Sequence, residues 1–447
     1  MFRLPKPFQL WLFALCLTGC KPPDESVQKA IIGALLIDGN GGPPISNSVV
    51  IVAGSRIRAV GNRVNMPIPA GLEKIDGQGK FLVPGLIDLH VHVGGRAGPR
   101  YQAADYTRRL IEENLNTYLY FGVTTVRSMG TDSQAGFDVR KAERDGQLLT
   151  ARLFTAGRGF TAPHGHPAQE VGDVVIQTDS PEEARRQVET LASQQVDAIK
   201  IWVDDLDGKA PKIKPAVSDA IIDEARKQNI PVTAHIHSLA DTKMLVNAGA
   251  AGFLHMIQDT ENIDPAFIAK LRALQIVFAP TLVRQELSWL YAEHPDLLDD
   301  PDVIRSVDAD VLAAVKETAR TMKATPHPRQ DFDRAVRNTG RLAAGGVLIG
   351  SGSDGGSALD FPGVMTHREL ELLIQAGLSP MDVIVAATRN GAIALRKPEE
   401  LGTIEPGKRS DLMLLSANPL EDIRNLRKID GLMFNGEWVD RNSLKLK

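Results

Sequence analysis

Eight short apolar runs, separated by helical patterns, constrain the fold of this chain more than any other feature. They span residues 86–92, 123–127, 153–156, 198–203, 231–235, 252–255, 276–279 and 347–350. Between most of them lie stretches such as 105–120, 181–194, 218–228 and 239–248, in which apolar residues return at helical spacing. Pro181 after Ser180 has the pattern of a first helical position behind an N-cap. Strands that alternate with helices pair in parallel, because each crossover helix returns the chain to the same end of the sheet. Eight such units predict an α/β fold of the (β/α)8 TIM barrel type. The stretch 281–346 is too long for one crossover, and is expected to carry extra helices that wall or cap one barrel mouth.

The two ends of the chain have another texture. Residues 31–37, 49–52 and 57–60 are β-rich and punctuated by the turn signals Asp38-Gly39 and Gly54-Ser55. Residues 411–415, 432–434 and 438–439 repeat that pattern, the last two joined around Asn435-Gly436. One small composite β-sandwich is the economical reading. Its parts would be 30–83 and 397–447, flanking a barrel over 84–396.

Residues 1–19 read as a signal peptide, with Arg3 and Lys6 ahead of an apolar stretch, 8–17, too short to span a bilayer. Leu17-Thr18-Gly19-Cys20 resembles a bacterial lipobox. That resemblance implies cleavage before Cys20 and a membrane anchor through lipid on its sulfur, stable because more than one acyl chain is attached. Residues 20–29, with Pro22 and Pro23, would then be a tether. Lys21 after the cysteine implies, in a Gram-negative cell, the outer membrane on its periplasmic side. With Cys16 inside the signal and Cys20 lipidated, neither of the two cysteines is left for a disulfide or a metal. Any metal must be held by nitrogen and oxygen. Basic residues number 51 against 55 acidic ones, a balance with no electrostatic footprint for nucleic acid.

Active sites of such barrels sit at the C-terminal ends of the strands, and candidate ligands cluster there. His90 and His92 close the first run, and strict alternation would place them on one face with Leu86 and Asp88. Alone, a His-x-His tripeptide is more often a pair of surface histidines. Here Lys200 lies late in the fourth run, His235 ends the fifth, His255 ends the sixth, and Asp354 follows the eighth in Gly350-Ser351-Gly352-Ser353-Asp354. In the fourth run Ile199, Ile201 and Val203 would face the helices, so Lys200 points into the barrel with Val196 and Ala198. A surface lysine at a strand end is the alternative, against which this parity argues. An unpaired ammonium inside would be costly and would repel a divalent cation. Carboxylation by CO2 resolves both problems, since the carbamate is anionic and offers two oxygens.

These motifs, in this order, resemble the amidohydrolase superfamily, in its imidazolonepropionase-like and prolidase-like (Xaa-Pro or Xaa-Arg dipeptidase) branch. The resemblance covers nearly all of the chain beyond the signal, through Val83-Pro84-Gly85-Leu86-Ile87-Asp88-Leu89-His90-Val91-His92, Gly122-Val123-Thr124-Thr125-Val126-Arg127, Ala198-Ile199-Lys200, Thr233-Ala234-His235, His255, Gly352-Ser353-Asp354 and Gly402-Thr403-Ile404-Glu405-Pro406-Gly407-Lys408. It implies a metal-dependent hydrolase of C–N bonds with two divalent ions, zinc by ligand type, although manganese or cobalt suits the same donors. One ion would be held by His90, His92, N6-carboxylysine at Lys200 and Asp354. The other would be held by the Lys200 carbamate, His235 and His255. Imidazolonepropionases lack the strand-four lysine and use one metal, so Lys200 favours two. The resemblance gives Asp354 the role of general base and then general acid. His166 and His237 become candidate substrate contacts; for Arg158 and Tyr101 a surface role stands beside the same reading. Departures from the family pattern, Ser128 after Arg127 and Phe253-Leu254 before His255, leave the ligands intact and substrate choice open. A dipeptide or N-acyl amino acid is the expected substrate. A cyclic amide, carbamate or phosphotriester is the alternative, and a non-catalytic metal-binding lipoprotein is a third reading.

Overall fold

The computed structural model describes residues 28–322 and 326–447. Cys20, the signal peptide and all but the end of the tether lie outside the described residues. Among those described, no helix is long and apolar enough to cross a membrane.

The eight expected strands are present: Leu86–Val91, Val123–Ser128, Arg152–Thr155, Ile199–Val203, Val232–Ile236, Gly252–Leu254, Val277–Ala279 and Leu348–Ile349. Neighbours pair in parallel within the first three and within the last five. Hydrogen bonds close the two seams: Asp197 N to Thr155 O (2.8 Å) between third and fourth, and Leu89 N to Ser351 O (2.9 Å) between first and eighth. The result is a closed barrel. The β-branched face of the fourth strand, Ile199, Ile201 and Val203, packs in the main core with Val217 and Ile221 of the helix Pro215–Lys227. Lys200 and Trp202 take the inner face and are buried.

The first strand departs from strict alternation. Its register against the second strand breaks between Asp88 and Val91. Ile87 and Leu89 therefore join the barrel-interior cluster with Phe154 and Leu254. Leu86, Val91 and Val93 pack in the main core instead. Asp88 turns outward to Thr366 on the helix Val364–Gln375. The expectation that His90 and His92 share a face with Leu86 and Asp88 is thus corrected. The irregularity lets His90 and His92 face inward although Leu89 before them does so too, while Val91 between them packs in the main core; re-aiming side chains beside active sites is a known use of bulges.

Both chain ends build the smaller domain. One sheet has the order Arg56–Asn62, Ser48–Ala53, Gln28–Ile32, Glu73–Asp76; the other runs Glu437–Trp438, Ile429–Phe434, Leu412–Leu415, Phe81–Pro84, Leu35–Leu36. Ile31, Val50, Leu82, Leu412 and Met433 share one core between them. The first strand begins at Gln28, two residues inside the segment read as tether. Arg152 of the third barrel strand joins the domains: it donates to Asp411 Oδ2 and Asn435 Oδ1, each at 2.7 Å, with its guanidinium 5.0 Å from the Phe434 ring. The stretch after the seventh strand does carry extra helices, among them Leu282–Glu286, Ala309–Thr321 and Pro326–Ala344.

Candidate active site

A cavity of about 310 Å³ opens at the C-terminal ends of the strands, lined by His90, His92, His235, His255 and Asp354 among others. Each of these side chains is fixed by the backbone beneath it. Asp88, fully buried, accepts from the amides of His90 and Ser353 through Oδ1 (3.1 Å each). Its Oδ2 accepts from the hydroxyls of Ser353 and Thr366 (2.7 Å each). It therefore ties the end of the first strand to the loop after the eighth. Asp354 N donates to His90 O (2.7 Å) and His92 N to Gly355 O (2.8 Å), which completes that seam. His255, Thr281 and Asp354 all hold left-handed backbone (φ 64°, 50° and 70°). Such conformations cost about 1–3 kcal/mol each and persist where surrounding structure enforces them, typically at functional sites.

Hydrogen bonding also sets which ring nitrogens face the cavity. The Thr281 hydroxyl donates to Pro280 O (2.8 Å) and so accepts from His255 Nδ1, leaving the Nε2 lone pair free. His92 Nδ1 lies 2.9 Å from Thr131 Oγ1, and its Nε2 is 3.0 Å from Asp354 Oδ1. The same oxygen is 3.1 Å from His90 Nε2. Burial alone would raise the Asp354 carboxyl, but His90 and His92 outweigh it and hold the group well below the usual carboxylate range. His235 Nε2 is 3.1 Å from Asp204 Oδ2.

The donors suit a cation. Neither ring nitrogen of buried His90 makes a well-aligned hydrogen bond, although Nε2 lies beside the Asp354 carboxylate. One nitrogen each of His90 and His255 and one oxygen of Asp354 lie within 4.8 Å of one another, the one such group among the described residues. Orphaned buried nitrogen lone pairs beside a carboxylate fit a divalent ion. Lys200 is fully buried with no hydrogen-bond partner for Nζ, which sits 4.8 Å from the Trp202 ring centroid. Burial pushes its ammonium down to about 7. Gly130 and Gly159 leave the room this pair needs: a Cβ at Gly159 would come within 2.8 Å of Lys200 Cγ.

Of the other sequence candidates, His166, His237 and Tyr101 line the cavity. The His166 ring stands 5.4 Å from that of His235, and burial together with His235 lowers it to about 3. Tyr101 OH is 3.3 Å from Ser357 Oγ. Arg158 is not among the lining residues: it donates to the carbonyls of Asp173, Val174 and Val175, fastening the loop after the third strand. Sequence reasoning missed Asp204, Glu170, Asp207 and Arg284, all of which line the cavity. Asp204 carried a usable signal, since it follows the fourth strand as Asp354 follows the eighth. Asp207 comes from a loop, and Glu170 and Arg284 from the helices Ala168–Val171 and Leu282–Glu286, too short for a period to mark which side chains turn inward.

Comparison with known proteins agrees with this architecture. The Amidohydrolase family model matches residues 81–439. Ochratoxinase of Aspergillus niger is 25% identical over 444 residues, covering 90% of this chain and 84% of that protein. Imidazolonepropionase of Streptomyces griseus is 26% identical over 387 residues, covering 85% and 88%. Among solved structures, a candidate prolidase from Bifidobacterium longum superposes with a TM-score of 0.72 at 29% identity, covering 94% of this chain and 95% of that one.

Proposed function

The chain belongs to the amidohydrolase family, and from that premise we propose a binuclear metal-dependent hydrolase that cleaves the amide bond of a dipeptide or N-acyl amino acid. The observation that carries the two-metal reading is Lys200, a buried amine with no hydrogen-bond partner on the inner face of the fourth strand, of which it is the second residue. In its neutral form this amine would react with CO2, forming an N–C bond and releasing one proton, and the anionic carbamate so made would offer two oxygens to cations. His90, His92, Lys200 and Asp354 would hold one ion, and Lys200, His235 and His255 the other. Such ions supply polarisation of the scissile carbonyl and a hydroxide nucleophile at neutral pH.

The chain's own groups do the rest. Asp354 takes the proton of the attacking water and returns it to the leaving nitrogen, so one carboxylate serves as base and then acid. Its left-handed backbone and the bond from its amide to His90 O hold that carboxylate beside both histidines. Trp202 and Leu206 supply apolar wall, while His166 and His237 stand where a substrate would lie. Lipid on Cys20 anchors the enzyme to the periplasmic face of the outer membrane, a placement checked by loss of fatty-acid labelling in Cys20→Ala.

The test is a panel of dipeptides and N-acyl amino acids, offered to protein lacking residues 1–20 and supplied with zinc and bicarbonate. Hydrolysis that a chelator abolishes is the expected result, with Asp354→Asn nearly inactive while still binding metal. No turnover of any member would overturn the amide reading.

A further inference from the structure

The charges around the cavity are sorted by side. Glu170 lies on the short helix Ala168–Val171 after the third strand; Asp204 and Asp207 follow the fourth. Arg284 comes from the helix Leu282–Glu286 after the seventh strand, and Ser357 from the loop after the eighth. In an eight-stranded barrel the connections after strands three and four lie across the mouth from those after seven and eight. One wall is therefore acidic and the opposite wall carries a guanidinium, with the histidines and Asp354 between them.

Neither Glu170 nor Asp207 forms an ion pair or side-chain hydrogen bond among the described residues, and both are exposed at the cavity rim. Arg284 is held in place without being used up. Its Nη1 donates to Ala358 O (2.6 Å) and its Nε is 3.7 Å from Asp354 Oδ2, while Nη2 has no partner among the described residues and the side chain stays 35% exposed. Tyr101 and Ser357 add hydroxyls on that side.

Resting on the amide-hydrolase reading, we propose that this cavity selects substrates with a free ammonium at one end and a carboxylate at the other: unblocked dipeptides in preference to N-acyl amino acids. The ammonium lies against Glu170, Asp204 and Asp207, and the carboxylate against Arg284. Two considerations separate these classes. A cationic group beside a metal centre is repelled unless negative charge offsets it, and the acidic wall supplies that charge. A neutral acyl chain on the same wall would strip water from carboxylates and give them no partner in return. The cavity, about 310 Å³, is also at the small end of ligand sites, which suits a dipeptide better than a long acyl group.

The experiment compares matched pairs on the zinc- and bicarbonate-loaded protein. Each pair is a dipeptide and its des-amino analogue, for example alanyl-leucine and N-propionyl-leucine, run on the wild type, Glu170→Gln/Asp207→Asn, Glu170→Asp and Arg284→Gln. The wild type should prefer the dipeptide by more than about tenfold in kcat/KM. The double variant should bring that ratio to within about threefold, through KM for the dipeptide, and Glu170→Asp should keep it. Arg284→Gln should raise KM for both members and abolish discrimination against carboxyl-amidated dipeptides. Equal kcat/KM for the pair in the wild type, or a preference untouched by the double variant, overturns the inference and leaves the amide reading standing. No hydrolysis of any pair overturns both.

Discussion

Replacing Asp88 by alanine would show how strongly the first barrel strand is pinned to the loop that carries Asp354. Asp88 is fully buried and accepts four hydrogen bonds, two from amides through Oδ1 and two from hydroxyls through Oδ2. The hydroxyls of Ser353 and Thr366 can rotate toward other acceptors; the amides of His90 and Ser353 cannot. Two buried amides left unpaired cost about 1–3 kcal/mol each, or roughly 2–6 kcal/mol together. Removing the carboxylate also relieves its burial, the dominant influence that raises its pKa. The net loss should therefore fall in the lower part of that range, about 2–4 kcal/mol. Asp88→Asn keeps an acceptor for both amides and presents an NH2 that the two hydroxyls can accept, so it should lose only about 1 kcal/mol. Urea denaturation midpoints at neutral pH, with amide hydrolysis measured alongside, read both effects. Because His90 and Asp354 flank the bonds that are lost, activity in Asp88→Ala should fall even where the variant is fully folded. An alanine variant as stable as the wild type, or an asparagine variant no better than alanine, would refute the reasoning.

Three further perturbations address other parts of the molecule. Arg152→Met strands the buried Asp411 carboxylate without its 2.7 Å partner; a loss of about 3–5 kcal/mol is expected. In thermal denaturation, Arg152→Met/Asp411→Asn should recover part of that loss, whereas strictly additive losses would count against the pair. Burial raises the Glu369 carboxyl from its ordinary value of 4.5 to about 8. Its contribution to stability is thus full below about pH 4.5 and lost as pH rises through 8. Glu369→Gln, which keeps an acceptor for Val283 N, should gain on the wild type across that window in denaturation curves; parallel curves would contradict the shift. Gly159→Ala should crowd Lys200 and Trp202 and reduce metal-dependent activity more than it reduces stability. Activity retained at wild-type level would mean that the Lys200 side chain has slack there.

The strands were legible because each is a short apolar run bounded by turn residues, and their observed ends differ from expectation by a residue or so. Lys200 was legible as an inward side chain because the fourth strand keeps regular alternation from Ile199 to Val203. The first strand was not legible in the same way. Its register break depends on pairing with the second strand and on the grip of Ser353 and Thr366 on Asp88, partners more than two hundred residues away. Alternation alone put Asp88 on the face of His90 and His92, whereas Ser353 and Thr366 draw it outward. Arg158 shows the same limit: its targets are carbonyls of a loop that folds back on it. The sorting of Glu170, Asp207 and Arg284 to opposite walls is a property of barrel order plus loop conformation, of which the sequence alone supplies only the order.

The most direct test of the central claim is the metal content of purified protein, measured by mass spectrometry together with amide hydrolysis in the wild type and in Lys200→Ala. The wild type, supplied with zinc and bicarbonate, should hold about two ions per chain and lose hydrolysis on chelation until metal is returned. Lys200→Ala should hold fewer than two and be inactive, with partial rescue by a small carboxylic acid that replaces the carbamate. A wild-type enzyme fully active with one ion or none, or a Lys200→Ala variant that keeps two ions and full activity, would contradict it.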